Sequence, residues 1–130
     1  MLLLNMSKDH KNDFYVCNID SSKVTYYSYL AKSQLEGYEN VYKHFEKLLL
    51  TIEQKKWLWI IDGKDYKILN GTIESNLDLK CIRKLMQMME MYYTSLENII
   101  IINPSLNLKQ ILSLVYPFLN SDLKKKIIYK

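Results

Sequence analysis

Apolar residues recur along this chain in two rhythms, one of period two and one of three to four. Residues 14–19 and 24–30 are rich in aromatic and branched side chains. Asp20-Ser21-Ser22-Lys23 between them carries turn chemistry, so the stretch predicts a β-hairpin. From Tyr38 to Gln54, Val41, Tyr42, Phe45, Leu48, Leu49 and Ile52 return at helical spacing. Trp57-Leu58-Trp59-Ile60-Ile61-Asp62-Gly63 reads as a short buried strand ending on an acid and a glycine. After a polar loop with Asn70-Gly71, a second helix is expected from Leu77 to Tyr93, on Ile82, Leu85, Met86, Met89 and Tyr93.

The most informative stretch follows. Ile99-Ile100-Ile101-Ile102 cannot alternate in and out, so both faces of that strand should be covered. Leu108, Ile111, Leu112, Val115, Phe118 and Leu119 then fall on one stripe of a third helix, with Pro117 placed to bend or end it. A last strand is expected over Lys126 to Lys130. The order β-β-α-β-α-β-α-β predicts an α/β fold: a mixed, largely parallel sheet of about five strands, with helices on its faces. Residues 1–13, apolar at the start and then polar and charged, read as a loose segment, and residues 14–130 as a single domain.

Composition narrows the class. Apolar residues make up 48% of 130 positions, with three Gly and two Pro, as in a packed domain. No run of eighteen apolar residues is present, and Met1-Leu2-Leu3-Leu4 is too short for a signal-peptide core. Cys17 and Cys81 lack metal spacing and read as reduced thiols. A net charge of +4 permits attraction to anionic lipid without demanding it. There is no Gly-rich phosphate loop, no G-x-S-x-G elbow and no catalytic Cys/His pairing, so no enzyme is expected and no cofactor. Lysines are not interleaved with aromatics in a stripe, which argues against nucleic acid. Asp62, at a strand's C-terminal end, is expected to accept hydrogen bonds from the loop that follows.

The half from Trp57 onward resembles the CRAL-TRIO lipid-binding domain family. That family has a strand ending in Asp before a Gly-containing loop, as in Ile60-Ile61-Asp62-Gly63. It has a helix running into Tyr-Pro-Glu-Arg-Leu, a strand ending Ile-Ile-Asn, a gate helix ending Pro-Phe-Leu, and Lys-Ile opening the next strand. This chain has Tyr93-Thr94-Ser95-Leu96, Ile101-Ile102-Asn103, Pro117-Phe118-Leu119 and Lys126-Ile127 in that order. It departs where Pro-Glu-Arg becomes Thr94-Ser95, one residue short. It departs again where a Thr of the phosphoinositide-binding members is replaced by Leu123.

The resemblance implies a lipid enclosed between the sheet and an apolar gate helix, Leu108–Leu119. Exposing a phospholipid's chains to water would cost on the order of 20 kcal/mol, so a carrier must cover them. The lining implied is Leu108, Ile111, Leu112, Val115, Tyr116, Phe118 and Leu119, with Lys126, Tyr93, Trp59 and Tyr27. Met86, Met88, Met89 and Met91 suit an adaptable lining or a plain core. Lys124-Lys125-Lys126 could meet anionic lipid or form a solvated turn. The ligand implied is a phospholipid or other amphiphile, of phosphatidylinositol type, transferred between or presented at membranes. The protein is expected to be cytoplasmic and peripheral to membranes, touching them transiently. As given, the chain lacks the family's usual closing segments, so a homodimer is expected to cover the exposed apolar edge. The other reading is a protein-interaction module of the same fold, its cavity filled by side chains and its helix used for docking.

Overall fold

The computed structural model describes residues 15–19, 23–32, 37–52, 55–67, 77–90 and 93–130, without the side chains of 15–19, 51, 77, 78 and 93. The expected loose segment 1–13, the hairpin turn 20–22 and the Asn70-Gly71 loop lie outside the described residues. Five strands form one sheet in chain order: β1 (Tyr15–Ile19), β2 (Lys23–Tyr29), β3 (Lys56–Asp62), β4 (Leu96–Ile102) and β5 (Ile127–Tyr129). β1 and β2 pair antiparallel as the predicted hairpin, and β2 through β5 run parallel. Helices among the described residues include α1 (Tyr38–Ile52), α2 (Leu77–Met89), α3 (Leu106–Val115) and α4 (Ser121–Lys126). The mixed, largely parallel sheet with helices is therefore as the sequence predicts.

Differences lie at the joints. α3 stops at Val115 and tightens into a 3₁₀ turn, Tyr116–Phe118, with Pro117 inside it. A further short helix, α4, precedes β5, so Lys126 ends a helix rather than opening the strand. Asn120 allows this, because its side-chain Oδ1 accepts the Leu123 N–H at 2.7 Å and caps α4. Among the described residues no helix is long and apolar enough to cross a membrane.

Parallel strands laid down in chain order, with right-handed crossovers, send their connecting helices to one face of the sheet. Burial agrees with that geometry. Val24, Tyr26 and Ser28 on β2, Trp57, Trp59 and Ile61 on β3, and Ile99 and Ile101 on β4 are buried. They pack under Val41, Phe45, Leu48 and Ile52 of α1, Ile82, Leu85, Met86 and Met89 of α2, and Leu108, Ile111, Leu112 and Val115 of α3. The opposite face, with Tyr27, Leu58, Ile60, Ile100 and Ile102, is half-buried. The isoleucine strand thus has one fully buried face and one half-buried face, rather than two equivalent ones.

Candidate functional site

α3 enters its position through a tight junction. Asn103 takes a left-handed backbone (φ 48°), which turns the chain sharply out of β4. Ser105 then caps the helix, its Oγ accepting the Leu108 N–H at 3.2 Å. Beneath the junction the Asp62 carboxylate, 5% exposed, collects three donors. The Lys64 backbone N–H and the Asn103 Nδ2 reach one oxygen at 3.0 and 3.1 Å, and the Tyr27 hydroxyl donates to the other at 3.0 Å. The expected role of Asp62 as an acceptor for the following loop holds, and it extends to the next strand. Burial and the neighbouring Asp62 carboxylate push the Tyr27 phenol well above its usual range, so it stays protonated and donates.

Among the described residues, two small apolar voids lie within the sheet–helix interface. One apolar void of about 30 Å³ lies among β2, β3, α1 and α2, with Tyr26, Phe45, Trp59, Tyr66 and Leu85 in its wall. A second, of about 20 Å³, lies under α2 and α3, against Trp59, Ile61, Met86, Leu108 and Leu112. Each could hold a water molecule or two, whereas pockets for small organic ligands run to roughly 300–1,000 Å³. Around these two voids the described side chains fill the space between sheet and helices. Trp59 is fixed within it, its indole N–H donating to the Ser28 Oγ at 2.9 Å.

Larger spaces open at the surface. A polar cleft of about 570 Å³ lies at the C-terminal ends of the parallel strands, between Tyr29, Lys32, Asp62, Lys64 and Asn103. A groove of about 220 Å³ follows the seam of α2 and α3, between Arg83, Met86, Gln87 and Glu90 on one side and Val115, Phe118 and Leu119 on the other.

The predicted lining divides between these places. Leu108, Ile111, Leu112, Val115, Leu119 and Trp59 face the interior and are buried. Phe118 and Tyr116, expected on the same stripe, instead point outward, 68% and 46% exposed. The reason is the end of α3. Beyond it Leu119 adopts extended backbone and takes the inward place, while the Phe118 ring sits 4.8 Å from the Arg83 guanidinium carbon. Tyr27 is also displaced from the interior, since strand alternation gives that place to Tyr26 and puts Tyr27 on the opposite face. The Tyr93 side chain lies outside the described residues. Lys126 is half-exposed, its carbonyl accepting from Asn98 Nδ2 at 3.2 Å.

Leu30, Tyr38 and Tyr66 also line the first void. The sequence offered only weak signals for them, since Tyr66 follows a polar turn and Tyr38 opens a helix. Leu123, where phosphoinositide-binding members carry Thr, is wholly buried in the core. Among the methionines, Met86 and Met89 face inward, Met88 is half-buried and Met91 lies outside the described residues.

Comparison with known proteins gives two findings. The family profile of the CRAL/TRIO domain matches residues 16–130. The crystal structure of Sfh5 is similar in fold, with a TM-score of 0.62 and 15% sequence identity. That similarity covers 95% of this chain and 49% of the Sfh5 chain, so this chain spans about half the length of that protein. No curated protein matches the chain.

Proposed function

The chain belongs to the CRAL/TRIO domain family, a family of lipid-binding domains, and from that premise we propose that it binds one amphiphile between the sheet and α3. The observation that carries this reading is the two-sided character of α3. Its inner stripe is buried, while Leu106, Leu114, Tyr116 and Phe118 stand exposed on or just beyond the helix. Burying Leu108, Ile111, Leu112 and Val115 stabilises the closed state by roughly 6–12 kcal/mol, an upper estimate. Swinging α3 into water would forfeit that, so the closed interior opens where an apolar medium offsets the loss. A bilayer is such a medium. Its interface favours the exposed aromatic rings, and anionic headgroups attract the nearby Lys124, Lys125 and Arg83.

The lead ligand is a phosphatidylinositol-type phospholipid, supported by Lys126 at the family's lysine position, although Leu123 removes the adjacent hydroxyl. Transfer or presentation of this lipid at membranes, by a cytoplasmic protein that touches them transiently, completes the reading. In the absence of a membrane a second copy would cover the outward patch as a homodimer. Sedimentation as a monomer throughout the micromolar range would exclude that association.

One observation favours a second reading. The voids of about 30 and 20 Å³ fit an interaction module whose interior is side chains and whose α3 outer face docks a protein. Native mass spectrometry before and after incubation with mixed-lipid vesicles separates the two. A discrete added mass, lost on denaturation, supports the carrier; a bare mass in both samples, from folded protein, supports the module. Leu112→Asp puts a carboxylate against the second void and should abolish the adduct.

A further inference from the structure

The groove between α2 and α3 and the void beneath it share one wall. Met86 lines the groove of about 220 Å³ on its outer side and the void of about 20 Å³ on its inner side. It is 3% exposed, and its unbranched thioether can turn aside at little cost in strain. At the groove's rim the Arg83 guanidinium lies over the Phe118 ring, 4.8 Å from its centroid. Such a contact at an exposed site is weak, so it holds the rim lightly. Turning Met86 and the Phe118 ring aside therefore costs far less than displacing α3 as a whole.

We propose that the seam of α2 and α3 is the loading portal, admitting one acyl chain at a time. Arg83 receives the phosphate of the entering amphiphile, and Met86 is the plug the chain displaces. This deepens the lipid-binding reading and rests on it. The chemistry at the rim selects the ligand class. A guanidinium presents paired N–H donors to a phosphate, and on engaging one it leaves the Phe118 ring and frees the end of α3. Glu90, about two turns further along the same wall of the groove, disfavours an anion beside it and leaves the Arg83 end for the phosphate.

The test uses stopped-flow uptake of two single-chain probes below their micelle concentrations. These are a pyrene-labelled lysophosphatidate and a monoacylglycerol with the same labelled chain. The wild-type chain should take up the lysophosphatidate faster. Arg83 is exposed, so Arg83→Gln should fold normally, and it should cut that rate advantage roughly tenfold. Arg83→Lys should restore part of it. Met86→Ala should accelerate uptake of both probes, and Met86→Ile, stiffer at χ1, should slow both. Circular dichroism checks that the Met86 variants fold. Unchanged rates in Arg83→Gln and both Met86 variants, with wild-type uptake intact, would overturn the portal alone. No uptake of either probe by the wild-type chain, with a lipid adduct still formed on mixed-lipid vesicles, would overturn the portal and leave the lipid reading; no uptake and no adduct would overturn both.

Discussion

Gly63 joins the strand that carries Asp62 to the turn beneath α3, and adding one methyl there should be costly. A Cβ on Gly63 would lie 2.7 Å from the Leu108 Cδ2 and 2.8 Å from the Asn103 carbonyl oxygen. The leucine tip could turn away, but the Asn103 oxygen belongs to backbone and cannot. Gly63 itself is pinned, donating its N–H to the Ile102 carbonyl at 2.9 Å and accepting from the Tyr66 N–H at 3.1 Å. The added methyl must therefore move backbone at the start of α3. Overpacking of this kind costs about 1–3 kcal/mol, equivalent to a fall in melting temperature on the order of 3–12 °C for a domain of this size.

Urea denaturation of Gly63→Ala and Gly63→Ser, followed by far-ultraviolet circular dichroism, measures it. Gly37 provides the contrast. An added Cβ there meets nothing within 4 Å, and the cost arises from a backbone φ of +97°. Asn, which tolerates positive φ, should therefore recover stability relative to Ala at Gly37 and lose more than Ala at Gly63. A wild-type urea midpoint for Gly63→Ala, or an Asn that is no worse than Ala at Gly63, would refute the close-contact argument.

Two further outcomes follow from the buried polar groups. Trp59→Phe leaves the buried Ser28 hydroxyl without the indole N–H it accepts and should destabilise by about 1–3 kcal/mol beyond the loss of ring area. Adding Ser28→Ala should recover part of that in a double-variant cycle, and strict additivity would show the hydrogen bond contributes nothing. His44 is hydrogen-bonded to the Tyr26 hydroxyl at 3.2 Å, and burial, with Lys47 nearby, lowers its pKa to about 4. The unfolded chain binds that proton near pH 6.5, so its contribution is present above 6.5 and declines as pH falls toward 4. A His44→Asn variant should show a flatter fall of urea midpoint over that window; identical slopes would remove His44 as the cause.

Local pattern determined the elements. The period-two and period-3.6 rhythms placed the hairpin, the three main helices and the isoleucine strand within a few residues, because each repeat reports which side of its own element is buried. The junction residues were legible for the same reason: Asp62 accepts from its loop through groups close in the chain. Tertiary structure decided what local pattern leaves degenerate. Tyr26 and Tyr27 are equivalent in a strand aromatic on both sides, and only the one-sided placement of helices buries the first and turns the second away. Phe118 continues the α3 stripe in sequence, yet helix geometry ends before it and Arg83 holds it outside. Cavity volume was the quantity furthest from the sequence. The same leucines and methionines can line a pocket or fill it, and the difference lies in how side chains from α1, α2, α3 and three strands interdigitate across the interface.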